Sequence, residues 1–274
     1  MIKLTALVEN TTSSPLYDCK HGLCIYIETA KHKILFDVGP NDLFVKNAEK
    51  MGIDLKAVDT VIISHGHYDH GGGLAKLLEI NKTAKIYVRE NGFEPHFTSI
   101  GFLKLPIGLD KDLMENDHIV LTGEETIIDD ELTLFSGVKG RKLFSSANKK
   151  LMMKQNNKIT EDSFTHEQNL VIKDGDKAIM LTGCSHNGIV NIVEKYNEKY
   201  GTKLTNVIGG FHLYNPSAKK YESDELITAV ALALIETEPS YYTCHCTGTK
   251  AYEIMKNTMG DKLGYLSVGT KLEL

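Results

Sequence analysis

The chain of 274 residues is 42% hydrophobic and 24% charged, which excludes a disordered chain and allows one large domain with a sizeable core. With 31 Lys+Arg against 36 Asp+Glu the net charge is −5, so there is no basic field for general binding of nucleic acid or of an anionic membrane surface, although a local basic pocket is still allowed. The opening MIKLTALVEN lacks a signal-peptide pattern, no run reaches the roughly 18 apolar residues of a membrane span, and the odd count of 5 cysteines reads as reduced thiols, so a cytoplasmic protein is expected.

Short apolar runs bounded by turn residues predict strands over residues 2–8, 23–27 and 33–38. Helical spacing follows over 42–51, stopped by Gly52. A nearly continuous apolar run over 58–64 reads as a buried strand, followed by a helix over 73–80 and a strand over 84–88. Residues 89–117 show no clear period, and 119–121, 126–128 and 132–135 read as short strands. The basic, polar stretch 141–164 around an LMM island reads as a solvated loop or a mobile lid, so a single domain over 1–274 is expected with an irregular insertion or lid over about 89–165. A hairpin is predicted from strands 170–173 and 177–182 across the Asp174-Gly175 turn signal. Then come a helix over 187–200, a strand over 204–208 and a helix over 221–235 rich enough in Ala, Leu and Ile to be largely buried. A strand over 240–243, a helix over 248–258 and a strand over 263–268 complete the chain. One unit recurs: the strands leading to His65 and to His186 each run into a histidine-bearing turn and then a helix. Two similar halves of this kind predict an α/β protein in which two sheets stack with helices outside and the histidine turns share one edge.

His65-Gly66-His67-Tyr68-Asp69-His70 is the strongest chemical signal. His65 and His67, two apart on an extended segment, point the same way and can ligate one metal; Asp69 and His70, at the turn into the next helix, can reach a second about 3.5–4 Å away. Gly66 and the run Gly71-Gly72-Gly73 remove side chains that would block so close an approach.

HGHYDH after an apolar strand resembles the HxHxDH signature of the metallo-β-lactamase fold superfamily. The wider set His21-Gly22-Leu23, the segment from Ile34 to Gly39, Gly183-Cys184-Ser185-His186, Gly209-Gly210-Phe211-His212-Leu213 and His245-Cys246-Thr247-Gly248 is similar to one branch of it. That branch holds the archaeal dihydropterin ribofuranosyl-aminobenzene 5′-phosphate synthase and bacterial relatives called metal-dependent hydrolases. The resemblance implies a four-layer αββα sandwich holding one or two divalent ions, zinc first, with manganese, magnesium or iron as alternatives. It makes His186 the third ligand of the first metal, with His166 as the alternative, and His245 the last ligand of the second. Many relatives end a strand in Gly-Asp, the Asp bridging both metals; here Gly183-Cys184 stands there, so Cys184 is either a thiolate ligand or a small buried residue. Asp37 would organise the metal loop from behind. Asp69 would take a proton from the attacking water, and His212 or a metal would stabilise the developing oxyanion.

The expected reaction is hydrolysis, or transfer with loss of phosphate or pyrophosphate, on a small, anionic, phosphate-bearing molecule. No nucleic-acid or membrane partner is expected, and a homo-oligomer is compatible. Arg141, Lys142, Lys149 and Lys150, within the basic stretch 139–158, would receive the anion. The rivals are an iron-holding redox protein on the same histidines and a binding protein whose second site is incomplete. Cys244 and Cys246 flank His245 with spacing poor for an iron–sulfur cluster; Cys19 and Cys24 read as ordinary thiols, and His32, His96 and His118 as surface or packing residues.

Overall fold

The computed structural model describes residues 1–155 and 157–274. Alternation along the strands builds two stacked sheets: in Lys33–Phe36, Ile34 and Phe36 point to the layer between the sheets while Leu35 points to the outer helices. In Lys177–Leu181, Ile179 and Leu181 point inward and Ala178 and Met180 outward.

The first sheet runs in the order Lys271–Glu273, Lys3–Val8, Cys24–Glu28, Lys33–Phe36, Thr60–Ile63, Lys85–Arg89, Ile119–Thr122. The second runs Leu263–Tyr265, Ser240–Thr243, Lys203–Gly209, Lys177–Leu181, Asn169–Asp174, Leu132–Phe135, Glu125–Ile127. Helices Leu43–Lys50 and Leu74–Ile80 cover the first sheet; Ile189–Lys199, Asp224–Ile235 and Thr249–Met259 cover the second. The result is the four-layer αββα sandwich of the metallo-β-lactamase fold. Asp224–Ile235 buries Ile227, Val230, Ala231 and Leu234, while Leu232 stays exposed. None of the helices among the described residues is long and apolar enough to cross a membrane.

In each sheet the strands on one side are parallel, so their carboxyl ends gather at one edge, where open α/β sheets place their ligands. Four residues that follow these strands have positive φ without being glycine: Asp37 (60°), Ser185 (56°), His212 (48°) and His245 (52°). Side chains seldom adopt this conformation, and here it turns the chain sharply at the shared edge. Gly183 lies so close to the Ser64 side chain that any β-carbon would collide with it, which lets the two halves meet there.

The stretch read as a loop or lid is ordered differently. Leu151–Gln155 and Lys158–Glu161 pair with each other, and Leu151–Gln155 joins His96–Ile100 and then Leu103–Pro106 in a four-stranded sheet preceded by the 3₁₀ turn Ser146–Lys150. Residue 156, inside that stretch, lies outside the described residues. The pairing was hidden because it joins distant segments, Met152 opposite Phe97, and because Leu103–Pro106 and Lys158–Glu161 are exposed along their whole length and carry no inside–outside alternation. The strand Lys271–Glu273, which returns the chain end to the first sheet, and the helical turn Tyr68–Gly71 also went unread.

Candidate metal centre

The carboxyl ends of these strands bring His65, His67, Asp69, His70, Cys184, His186, His212 and His245 around one cavity of about 520 Å³; all but His65 and His70 line it directly. Four of the imidazoles are fixed through one nitrogen. Ser64 Oγ donates to Asp37 Oδ2 (2.8 Å), so it accepts from His65 Nδ1 (2.9 Å). His70 Nδ1 donates to Asp37 Oδ2 (2.6 Å), His186 Nδ1 to Asn148 Oδ1 (3.0 Å) and His245 Nδ1 to Asn10 Oδ1 (2.9 Å). In all four rings Nε2 is left facing the cluster, the arrangement by which outer hydrogen bonds set the tautomer of metal-binding histidines.

Several ring nitrogens are left without a partner. His65 Nε2, His67 Nε2 and His186 Nε2 are buried with no hydrogen-bond partner among the described residues. A buried polar atom without a partner is costly, and such lone pairs suit a cation: those of His65 and His186 form one potential ligand group with Cys184, and His67 forms another with Asp162 and His166. The His67 ring lies 4.6 Å from that of His65 and 4.9 Å from that of His186 between centroids. On the other side, His70 Nε2 is 3.2 Å from His245 Nε2, and Asp69 Oδ2 lies 3.3 Å from His245 Nε2 and 3.7 Å from His70 Nε2. Cys184 belongs to both groups: its sulfur is 3.1 Å from His70 Nε2, and it completes one potential ligand triad with His65 and His186 and another with His70 and His245. The residues present therefore fit one or two thiophilic divalent ions.

Charge is distributed accordingly. Burial, reinforced by neighbouring imidazoles, holds His65 and His186 well below the usual histidine range and His67 at about 3, so their lone pairs stay available. Burial opposes a charge on His70 as well, but Asp37 and Asp69 outweigh it and hold its pKa up at about 9; a cation at Nε2 would take the place of that proton. Burial raises Asp69, yet His70, His21 and His245 more than compensate and keep it a carboxylate. Burial pushes the Cys184 thiol up, and Cys246 adds to the effect.

Asp37 stands behind the loop as expected: it accepts from the Ser64 amide (2.7 Å), the Ser64 hydroxyl and His70. His212 reaches the cavity beside His186, ring centroids 4.2 Å apart, with both its nitrogens unpartnered among the described residues. His166 stands in a separate potential ligand group, with His67 and Asp162, and not in any group that Cys184 completes with the other histidines. Its Nδ1 accepts from the Gly66 amide (2.9 Å) and pins the histidine turn, while its Nε2 faces Asp162 (3.1 Å). The basic residues expected to receive an anion also lie elsewhere: Lys142 pairs with Glu194, Arg141 donates to the carbonyls of Val138 and Gly140, and neither they nor Lys149 and Lys150 line the cavity. His96 is buried against His166, and His118 donates to the Ala84 carbonyl.

Several partners carried no sequence signal. Asp162 lies 4.0 Å from His67 Nε2, and Glu167 accepts from the amides of His186 and Asn187, holding that turn. Glu9 accepts from the His245 amide. His21, 3.2 Å from Asp69, and Cys246, whose sulfur forms a group with Cys184 and His212, stand inside motifs noted in the sequence, and their neighbours there could have marked them.

An αββα fold carrying this histidine turn defines a metallo-β-lactamase-type protein, and the chain belongs to the metallo-β-lactamase superfamily, whose family model matches residues 17–145. Over 286 residues, 98% of this chain and 95% of the relative, it is 30% identical to the 7,8-dihydropterin-6-methyl-4-(β-D-ribofuranosyl)-aminobenzene-5′-phosphate synthase of Methanocaldococcus jannaschii. An uncharacterized protein of the same organism is 28% identical over 255 residues, 92% of each chain. A crystal structure of a metal-dependent hydrolase of the β-lactamase superfamily superposes with a TM-score of 0.83 at 28% identity, covering 100% of this chain and 99% of the other.

Proposed function

We propose that this protein is a metal-dependent enzyme that uses water to hydrolyse a small phosphorylated molecule, or displaces phosphate or pyrophosphate from one. The observation that carries the reading is the sharing of Cys184 between two groups of inward-facing imidazoles. His65, His67 and His186 would hold one divalent ion, Asp69, His70 and His245 a second, and Cys184 would stand between them where many relatives have a carboxylate. Zinc suits the nitrogen and sulfur donors best. When bound, such ions make water a nucleophile at neutral pH and polarise a phosphoryl or carbonyl oxygen. The relative named as a phosphate synthase supports the transfer chemistry, and the one named as a hydrolase supports attack by water.

The chain's own groups do the rest. Asp69 Oδ2 faces the cavity and is held by His21, so it accepts the proton of the attacking water. His212, with free nitrogens on the cavity wall, donates to the oxygen on which charge develops. Asp37, Asn148 and Asn10 keep the imidazoles in one tautomer throughout. Metal analysis of the purified protein, followed by turnover assays on phosphomonoesters, phosphodiesters and a sugar 1-diphosphate, tests the reading. About two divalent ions per chain and metal-dependent release of phosphate or pyrophosphate are expected. Full metal loading without turnover on any of these classes would overturn it.

A further inference from the structure

The cavity has two unlike walls. The inner wall is the cluster of imidazoles, sulfurs and Asp69; the outer wall is the small four-stranded sheet. Register fixes what that sheet presents. Thr98 stands opposite Leu105 on one side and Leu151 on the other, and residues directly opposite share a face. Thr98, Ile100, Leu105 and Leu151 line the cavity, so the face turned to the site is almost entirely apolar. Ile100 and Leu105 are nevertheless 47% and 44% exposed, so this apolar face stays open to a ligand. The wall is tied to the metal loop: the Tyr68 amide donates to the Ile107 carbonyl (2.8 Å), and His67 bridges to Gly108. None of the described residues lining the cavity is Lys or Arg.

We infer that this sheet is a binding subsite for a flat apolar body, an aryl or similar group, attached to the anionic group that reacts at the metals. This rests on the metal-dependent reading above and narrows its substrate class. An anion entering the cavity meets no Lys or Arg there, so its charge would be met by the metals alone, and added affinity must come from the body lying against Ile100, Leu105 and Leu151. A polyanionic substrate held by basic side chains fits this cavity poorly.

Methylphosphonate and phenylphosphonate share one metal-binding head group and differ in the body. With the protein loaded with cobalt(II), each is titrated by the visible absorption of the bound metal, which needs no turnover. Phenylphosphonate should bind about tenfold tighter or better, the gain from covering a ring with apolar surface. That advantage should fall below about threefold in the double variant Ile100→Ser, Leu105→Ser, with methylphosphonate binding unchanged. Cobalt content verifies the variant, and Ile100→Ser alone carries the comparison if the double change lowers it. Equal binding of the two phosphonates, or an aryl preference that survives the substitutions, overturns the subsite while leaving the metal centre standing. A cobalt spectrum that responds to neither phosphonate overturns the proposed function, and the subsite with it.

Discussion

The Cys184 sulfur lies 3.1 Å from His70 Nε2, and the same sulfur completes a group with His65 and His186, so one thiol reaches both halves of the histidine cluster. If it ligates, metal should shield it. In the loaded protein Cys184 should alkylate slowly, and after chelation at least tenfold faster, read peptide by peptide in a mass spectrometer because Cys19 is exposed in any state. Equal rates would remove Cys184 from the ligand set.

His67→Ala removes one of three inward-facing rings but no core packing, since the turn lies at the cavity wall. Metal content should drop sharply while the circular dichroism spectrum and cooperative unfolding persist. Unaltered stoichiometry and affinity would mean that the cluster is not the metal site.

Asp37 is buried and accepts three hydrogen bonds, from the Ser64 amide, the Ser64 hydroxyl and His70 Nδ1. Asp37→Asn keeps the shape but places an amide where His70 needs an acceptor. Losses of outer hydrogen bonds of this kind weaken metal binding by about 10–100-fold. Competition with a chromophoric chelator measures it, and wild-type affinity in the variant would contradict the assignment.

For Asp69, the expected loss lies in rate. Asp69→Asn should lower turnover by about 10²–10⁴, the span for losing a general base, with KM little changed, when assayed at saturating metal. A fully metallated variant with near-native turnover would pass the role of base to His212 or His70.

His32 supplies the pH dependence. It joins the two sheets, Nδ1 to Asp59 (2.8 Å) and Nε2 to Asp129 (2.6 Å), although the sequence marked it only as a surface or packing residue. Burial opposes its charge, but the two carboxylates outweigh burial and raise its pKa above 6.5. Burial likewise raises Asp129, yet the His32 hydrogen bond and the Leu132 and Glu131 amides bring it below 3.8. A raised histidine stabilises the fold fully below its unfolded pKa and loses that contribution as pH rises through the folded value; a lowered aspartate loses its share as pH falls through its own. The stability difference between wild type and His32→Asn should therefore be greatest between about pH 4 and 6.5, on the order of 1 kcal/mol, and shrink as the medium becomes more alkaline. Urea titrations of both proteins from pH 5 to 9 measure it; a difference independent of pH would show that the imidazolium is not the clamp.

The legible part of this protein is what lies close along the chain. His65 to His70 lie within six residues, and the spacing of two histidines on an extended segment followed by Asp-His at the turn into the next helix declares a metal site without reference to anything distant. The strands of the two large sheets declare themselves too, because the rows Ile34 and Phe36 or Ile179 and Leu181 must be buried on one face. Resemblance extended the site to His186, His245 and Cys184, and the fold brings all three to the same cavity.

The remainder depends on pairs far apart in sequence. The Gly66 amide, 100 positions away, fixes His166 Nδ1, so that ring reaches a metal only from the Asp162 side. Asn10 orients His245 across 235 positions, and no local pattern encodes that choice. The outer strands of the small sheet, Leu103–Pro106 and Lys158–Glu161, have too little buried area to impose an alternation, so their pairing, and with it part of the apolar wall of the cavity, arises from docking beside the metal loop. Local spacing determines which side chains can bind a metal, because ligand geometry spans a few residues; long-range packing determines which nitrogens remain free to do so, because a hydrogen bond from any distant partner removes one.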